Sequence, residues 1–252
     1  MPINEVIALD DFGRLTPSDS QVWIDFDGTI SKRDVLDELI RQFAKNDSWR
    51  LIEERWAAGL IGSYDCLREE FALLRVAAPE LTEFVRRIPI DTGFGPLLQL
   101  LRSRHVPVTI LSDGVERFIR LILAENGLSD IPVYANRIAH RGDRLSLRCH
   151  LRSKSCESGA AHCKCNTSTL VGFPDRKNIY IGDGRSDLCP AGKADVVFAK
   201  GVLAQELSRR QIPFIPYSTL SEVAARLERT WMGTSVEVGS AVVGRGQRMA
   251  AR

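Results

Sequence analysis

The sequence predicts an α/β fold: a parallel sheet flanked by helices, with a small all-helical domain inserted after the first strand. Three observations predict it. Short apolar, β-branched runs recur at Val22-Trp23-Ile24, Val108-Thr109-Ile110-Leu111 and Ile179-Tyr180-Ile181, the pattern of strands buried on both faces. Each run ends in polar residues and glycine, as expected where open α/β sheets bind ligands at the carboxyl ends of their strands. Between the first two runs lie roughly seventy residues with helical periodicity, far more than a crossover needs.

The elements can be justified in order. Met1–Ser20 carries Asp and Glu and has no long apolar run, so it reads as neither a signal peptide nor an anchor. After the Val22–Ile24 strand, Val35, Leu36, Leu39, Ile40 and Phe43 recur at helical spacing, as do Trp49, Ile52 and Trp56, then Leu67, Phe71 and Leu74. Leu81, Phe84, Val85 and Ile88 form a fourth apolar face, opened by Pro79 near an N1 position. These four helices define an insertion over residues 31–96, with Gly93 and Gly95 around Phe94 as an expected hinge. Residues 1–30 and 97–232 form the core. A helix from Pro96 to near His105 leads into the second strand, and a helix through Phe118, Ile119 and Ile122 stops at Asn126-Gly127. Ile131–Asn136 reads as a short strand, and Arg141-Gly142-Asp143-Arg144 as a hairpin turn before Leu145 and Leu147. Ala194–Phe198 and Ile212–Ile215 are two further strands, followed by helical spacing over Leu220–Arg229. Residues 233–252 are Gly/Ser-rich and read as a flexible tail.

Composition narrows the function. The 252 residues carry 34 Lys and Arg against 32 Asp and Glu, a net charge of +2. That balance provides no basic stripe to track a nucleic acid. No stretch approaches the roughly 20 apolar residues that span a bilayer. The expectation is a soluble, cytoplasmic monomer or homodimer with no nucleic-acid or membrane partner.

The chemistry-bearing residues follow the strands. Asp25-Phe26-Asp27-Gly28-Thr29 places two carboxylates on one side of an extended segment, where one can attack and the other can handle a proton. Ser112-Asp113-Gly114 follows the second strand, and Gly182-Asp183-Gly184-Arg185-Ser186-Asp187 follows the third. Each has a plainer reading: a Gly-closed acidic turn, a helix cap at Ser112, an N-cap at Asp187.

Taken together, in this order, these segments resemble the motifs of the haloacid dehalogenase superfamily of phosphohydrolases, with a Rossmann-like core. The helical insertion after the acid pair resembles the mobile cap of its phosphoserine phosphatase branch. The resemblance spans roughly Val22 to Glu228. It implies Asp25 as nucleophile and Asp27 as acid/base, with Ser112, Gly28, Gly114 and a lysine binding phosphate. It also implies Mg²⁺ among Asp25, Asp27, Asp183 and Asp187, and a small phosphate ester as substrate. The lysine's register is open. Aligning on apolar residues puts Thr167 at its place, whereas aligning on distance to Asp183 puts Lys164 there. Asp34 and Arg68 are the candidates for substrate contacts from the cap, and Glu70 stands where phosphoserine phosphatases carry an arginine, which disfavours phosphoserine.

Within the branch, the His/Cys-rich run before Lys164 and the Ala194–Lys200 segment look most like the methionine-salvage enol-phosphate phosphatases. Related features occur in phosphoethanolamine and phosphocholine phosphatases. The further alternatives are a catalytically weak phosphate-binding module and a phosphotransferase. Cys149, Cys156, Cys163 and Cys165 crowd together with His150 and His162, which invites a structural Zn²⁺ reading; the alternative is a loop of reduced thiols. Cys66 and Cys189 read as packing residues.

Overall fold

The computed structural model describes residues 15–154, 156 and 158–233; of the tail expected over residues 233–252, Gly233 ends the last helix and residues 234–252 lie outside the described residues. The chain runs β1 (Ser20–Ile24), α1 (Val35–Phe43), α2 (Trp49–Ala57), α3 (Ser63–Leu73), α4 (Ala78–Arg86), α5 (Phe94–Ser103), β2 (Val108–Val115) and α6 (Glu116–Glu125). It continues through β3 (Val133–Arg141), β4 (Arg144–Arg148), α7 (Lys164–Val171), β5 (Lys177–Gly182), a 3₁₀ turn at Arg185–Asp187 and α8 (Leu188–Ala191). β6 (Val196–Ala199), α9 (Gly201–Arg209), β7 (Ile215–Pro216) and α10 (Leu220–Gly233) complete it.

The strands form one sheet in the order β4-β3-β2-β1-β5-β6-β7, parallel except for the β3–β4 hairpin. β1 is central and buried at every position, as its unbroken apolar run requires. Val22 and Ile24 pack into a core shared with α5, α6, α10 and the insertion, while Trp23 packs on the opposite face with Leu111, Tyr180, Leu203 and Leu207. Fully burying a side chain of this kind contributes roughly 1.5–3 kcal/mol. Cutting Ile24 or Ile181 to Ala would cost about 2–5 kcal/mol through the cavity left behind.

Register positions the loops. Ile24 is paired with Ile110 on one side and Ile181 on the other, so Asp25, Leu111 and Gly182 leave the sheet at one level. The order reverses at β1, whose neighbours β2 and β5 precede and follow the β3–β4 hairpin, and this is the switch point where such sheets open a crevice. Between Leu111 and Val115 the pairing with β3 slips, lifting Ser112-Asp113-Gly114 out of the ladder.

The four expected insertion helices are all present. Their entry and exit pair with each other through a Ser31–Ile90 bridge, with Lys32 N–H donating to Pro89 O (2.9 Å) and Asp91 N–H to Ile30 O (2.8 Å). α1 starts at Asp34, whose carboxylate accepts from Leu36 N (2.8 Å) and Asp37 N (3.0 Å), and it buries Val35, Leu36, Leu39 and Ile40. Pro79 opens α4 as predicted. The insertion also rests on the β3–β4 hairpin, through an Arg75–Arg144 bridge and Val76 N–H donating to Asp143 O.

Several expectations are corrected. At the expected hinge, Gly93 packs against the start of α10, where a Cβ would run into the Ser221 backbone, and Phe94 is fully buried, whereas Gly95 has open space around it. The strand expected over Ile212–Ile215 shrinks to Ile215–Pro216, because Pro213 and Pro216 withhold ladder donors. The strand expected to end at Asn136 runs on to Arg141. The segment read as a thiol-rich loop turns helical at Lys164. Among the described residues, no helix is long and apolar enough to cross a membrane.

Candidate active site

Asp25 emerges from the centre of the sheet and is buried; its N–H continues the ladder to Ile181 O (2.9 Å). Asp183 and Asp187 come from the turn after β5. One carboxylate oxygen from each of the three lies within 4.8 Å of the others. Asp183 is steadied by the Thr29 hydroxyl, which donates to it at 2.7 Å. Gly28 between them adopts φ +72°, and a Cβ there would collide with the Asp183 carboxylate, so this turn is closed to other residues.

Of the two candidates for the lysine's place, Lys164 is the one beside Asp25. As the first residue of α7 it is buried, and its Nζ donates to Asp25 Oδ1 (2.7 Å) and Asp187 Oδ1 (2.6 Å). Thr167, the other candidate, is turned away, its hydroxyl on His162 Nε2 at 2.8 Å. Asp187 accepts from four donors: Lys164, the Tyr180 hydroxyl (2.6 Å), and the N–H groups of Asp183 and Gly184 (both 3.0 Å). Its carboxylate therefore organises the turn. Asp187 stands at the N-cap position of α8 but makes no side-chain bond to that helix; its carboxylate turns back and holds the loop carrying Asp183.

Asp27 stands outside the three-carboxylate group. Its Oδ1 accepts from Val35 N (3.0 Å), at the start of α1, and its Oδ2 from the Ser112 hydroxyl (3.0 Å). Ser112 Oγ in turn accepts from Gly114 N (2.8 Å). A Cβ on Gly114 would fall 2.5 Å from Asp27 Oδ2 and 2.9 Å from Ser112 Oγ, so glycine is required for the approach.

Electrostatics follows from this burial. Burial, then the charge of Asp187, pushes the Asp25 carboxyl well above the usual range, against the pull of Lys164. Burial and nearby Asp34 push Asp27 up to about 7, and burial with Asp187 pushes Asp183 up to about 6. For Lys164, burial opposes the charge, but Asp187 and Asp25 overcome it and raise the amine above its ordinary value. Three carboxylates against one ammonium leave an excess of negative charge. Two carboxylates 4 Å apart repel by about 4 kcal/mol at an effective dielectric near 20. A cluster of hard oxygen donors with that excess suits Mg²⁺.

The cap candidates part company. Asp34 caps α1 and is close enough for its charge to act on Asp27. Arg68 is exposed and paired with Asp65 (3.5 Å) over the Tyr64 ring. Glu70 is buried, its carboxyl pushed up to about 8 by burial and by Glu53 and Asp37.

The Zn²⁺ expectation is overturned. Cys165 faces inward from α7 and is disulfide-bonded to Cys189 on α8, which also corrects the reading of Cys189 as a packing residue. Cys149, Cys156 and Cys163 are free thiols, and among the described residues the only group of three or more potential ligands that gathers is Asp25, Asp183 and Asp187. Density of soft ligands along the chain did not become convergence in space. Cys66 is buried, as expected.

Sequence reading missed several supports. His162 is fully buried, with Nδ1 2.9 Å from Ser112 O, and Asn136 donates to Asp113 O at 2.6 Å. From the sequence Tyr180 reads only as strand core, yet its hydroxyl donates to Asp187. A polar atom carried at an inward strand position was the available signal for Tyr180 and Asn136.

The model of the haloacid dehalogenase-like hydrolases matches residues 22–191, and the chain belongs to that family. Among its relatives, it is similar to the 2-hydroxy-3-keto-5-methylthiopentenyl-1-phosphate phosphatases of Geobacillus kaustophilus (27% identical) and Brevibacillus brevis (28% identical). Both alignments run over 211 residues and cover 82% of this chain and 95% of the relative. Among solved structures, it is similar to a substrate-bound phosphoserine phosphatase complex, with a TM-score of 0.63 at 18% identity, covering 82% of this chain and 97% of that one. That likeness establishes the shared fold.

Proposed function

We propose that this haloacid dehalogenase-type phosphatase hydrolyses a small-molecule phosphomonoester, with Mg²⁺, through an aspartyl-phosphate on Asp25. The observation that carries the reading is the Lys164–Asp25 contact inside a buried acid cluster, with Asp27 held to one side by Ser112. A Asp25 carboxylate oxygen attacks phosphorus while the bond to the leaving oxygen breaks, and protonated Asp27 gives that oxygen its proton. Asp27 then takes a proton from water, whose oxygen attacks phosphorus, and the acyl-phosphate bond breaks to release inorganic phosphate and Asp25. A carboxyl titrating near 7 suits both halves of this cycle.

Lys164, the Ser112 hydroxyl and the backbone N–H groups around Gly28 and Gly114 are donors for the phosphate oxygens. Asp25 and Asp183 would hold the Mg²⁺, with Asp187 fixing the Asp183 turn. When bound, the ion offsets the carboxylate repulsion and the charge of the incoming phosphate. The cap excludes water from the reacting groups.

For the leaving group, the two relatives at 27% and 28% identity support an enol phosphate of the 2-hydroxy-3-keto-5-methylthiopentenyl type. A second reading keeps phosphoethanolamine or phosphocholine as the ester, with Asp34, the cap-side carboxylate whose charge reaches Asp27, as the group beside the leaving cation. Turnover of p-nitrophenyl phosphate with Mg²⁺ and with chelator tests the activity, and a panel of the enol phosphate, phosphoethanolamine, phosphocholine and phosphoserine tests the substrate. Turnover in Mg²⁺ and none in chelator is expected. Equal rates in both would reject the metal-assisted reading, and phosphoserine as the best ester would reject both leaving-group readings.

A further inference from the structure

The turn between α2 and α3, residues 58–62, is gripped at both ends by residues that neighbour the site motifs. At the start of α3, the Ser63 hydroxyl donates to Asp113 Oδ2 at 2.5 Å and accepts from Ala161 N at 3.1 Å. Asp113 follows Ser112 directly. Its other oxygen accepts from His162 N at 2.6 Å, two residues before Lys164, and its carbonyl is held by Asn136. At the end of α2, Arg185 donates to Ala57 O at 2.8 Å and lies over the Trp56 ring, 5.5 Å from its centroid. Arg185 sits between Asp183 and Asp187 in the chain. An acid at a helix N-terminus and a cation at a helix C-terminus both complement the helix dipoles. Packing reinforces the grip: Tyr64 N–H donates to Gly159 O at 3.1 Å, and a Cβ on Gly62 would fall 2.6 Å from that oxygen.

We propose that Asp113 and Arg185 are positioning residues that seat the α2–α3 turn of the cap and, through Ser112, Lys164 and Asp183, tie its closure to the geometry of the phosphate-handling groups. Both Asp113 carboxylate oxygens are taken by Ser63 and His162 N–H, and the Arg185 guanidinium is spent on the α2 carbonyls. Asp113 links three segments that must agree for the site to be assembled: the loop after β2, the approach to Lys164, and the cap. Arg185 links the cap to the metal-side turn. The inference deepens the phosphatase reading and rests on it for its consequence in turnover, but the grip itself can be measured without turnover.

The test compares Ser63→Ala, Asp113→Asn, Arg185→Ala, Arg185→Lys and the double variant Ser63→Ala/Arg185→Ala in the full-length protein. Hydrogen exchange of residues 57–64 is read against β1 and β5, beside kcat and KM for p-nitrophenyl phosphate in Mg²⁺. Loss of one such hydrogen bond corresponds to about a fivefold change. Ser63→Ala and Arg185→Ala should each speed exchange in residues 57–64 about fivefold while β1 and β5 keep their rates. Each should lower kcat/KM about fivefold, and Arg185→Lys should recover part of the loss. Losses in the double variant should fall short of the product of the single losses, because one seated element is released twice. Unchanged exchange at 57–64, or exchange rising equally in the core strands, would overturn the proposal, as would kcat/KM within twofold of the parent. Should the parent turn over no ester, the phosphatase reading fails, and exchange at 57–64 alone decides the grip.

Discussion

Lys164 Nζ lies 2.7 Å from Asp25 Oδ1 although the two residues are 139 positions apart, and the same nitrogen reaches Asp187 at 2.6 Å. The pair joins the first residue after β1 to the first residue of α7, so the fold must be complete before the site exists. Lys164→Met would leave two buried carboxylates without their ammonium. Removing one partner of a buried ion pair costs about 3–5 kcal/mol. Urea unfolding should show a loss of that size, and p-nitrophenyl phosphate turnover should fall at least about 10²-fold. A stable variant with parental turnover would remove Lys164 from the account.

Asp27 sets a pH dependence of definite sign. Its carboxyl, pushed up to about 7 by burial and Asp34, must be protonated to act as an acid in the first half-reaction. With an alkyl phosphate, kcat/KM should fall as pH rises through about 7. With p-nitrophenyl phosphate, whose leaving group needs no proton, the fall should be shallower. Asp27→Asn should lose about 10²–10⁴-fold on the alkyl ester and flatten its profile. Identical profiles for both esters would exclude Asp27 as the acid.

His162 predicts a stability effect opposite to that of the raised carboxylates. Burial lowers it to about 4, below the ordinary imidazole value of about 6.5, so the folded protein keeps it neutral while the unfolded chain protonates it. Its contribution is intact above pH 6.5 and is lost as pH falls toward 4, about 3 kcal/mol in all. Between pH 7 and pH 4.5, stability by urea unfolding should decline less steeply in His162→Asn than in the parent. Parallel pH dependence would show that the imidazole is not held neutral.

Mg²⁺ should stabilise the fold, because an ion that binds only the assembled carboxylates adds its binding energy to folding. At about 100 times its dissociation constant the gain is about 2.7 kcal/mol. Thermal unfolding should shift upward with Mg²⁺ in the parent and not in Asp183→Asn. An equal shift in both would place the ion elsewhere.

Much of the architecture was legible because it rests on patterns that survive in one dimension. The three strands carrying Asp25, Ser112 and Asp183 are unbroken apolar runs, and α1 to α4 each show an apolar face. Pro79 and Asn126-Gly127 marked helix ends by capping chemistry, whereas the cap at Asp34 was not read from the sequence. α7 was not legible because its buried residues are Lys164, Cys165 and Thr167, polar or small, so no apolar stripe announces it. α9 shows only Leu203 and Leu207, a single i,i+4 pair. The lysine's register needed three dimensions, since alignment along the chain offered Thr167 equally. The thiols misled for the converse reason: nearness in sequence did not bring all four to one point, and Cys165 found its partner on another helix.

The central claim is that the Asp25 carboxylate becomes covalently phosphorylated during turnover. Acid-quenching the enzyme while it turns over p-nitrophenyl phosphate in Mg²⁺, then mass analysis of its peptides, tests this most directly. A phosphoryl adduct on Asp25, absent when the Asp25→Asn variant is treated alike, is the predicted result. Sustained turnover by Asp25→Asn, or an adduct on another residue, would contradict it.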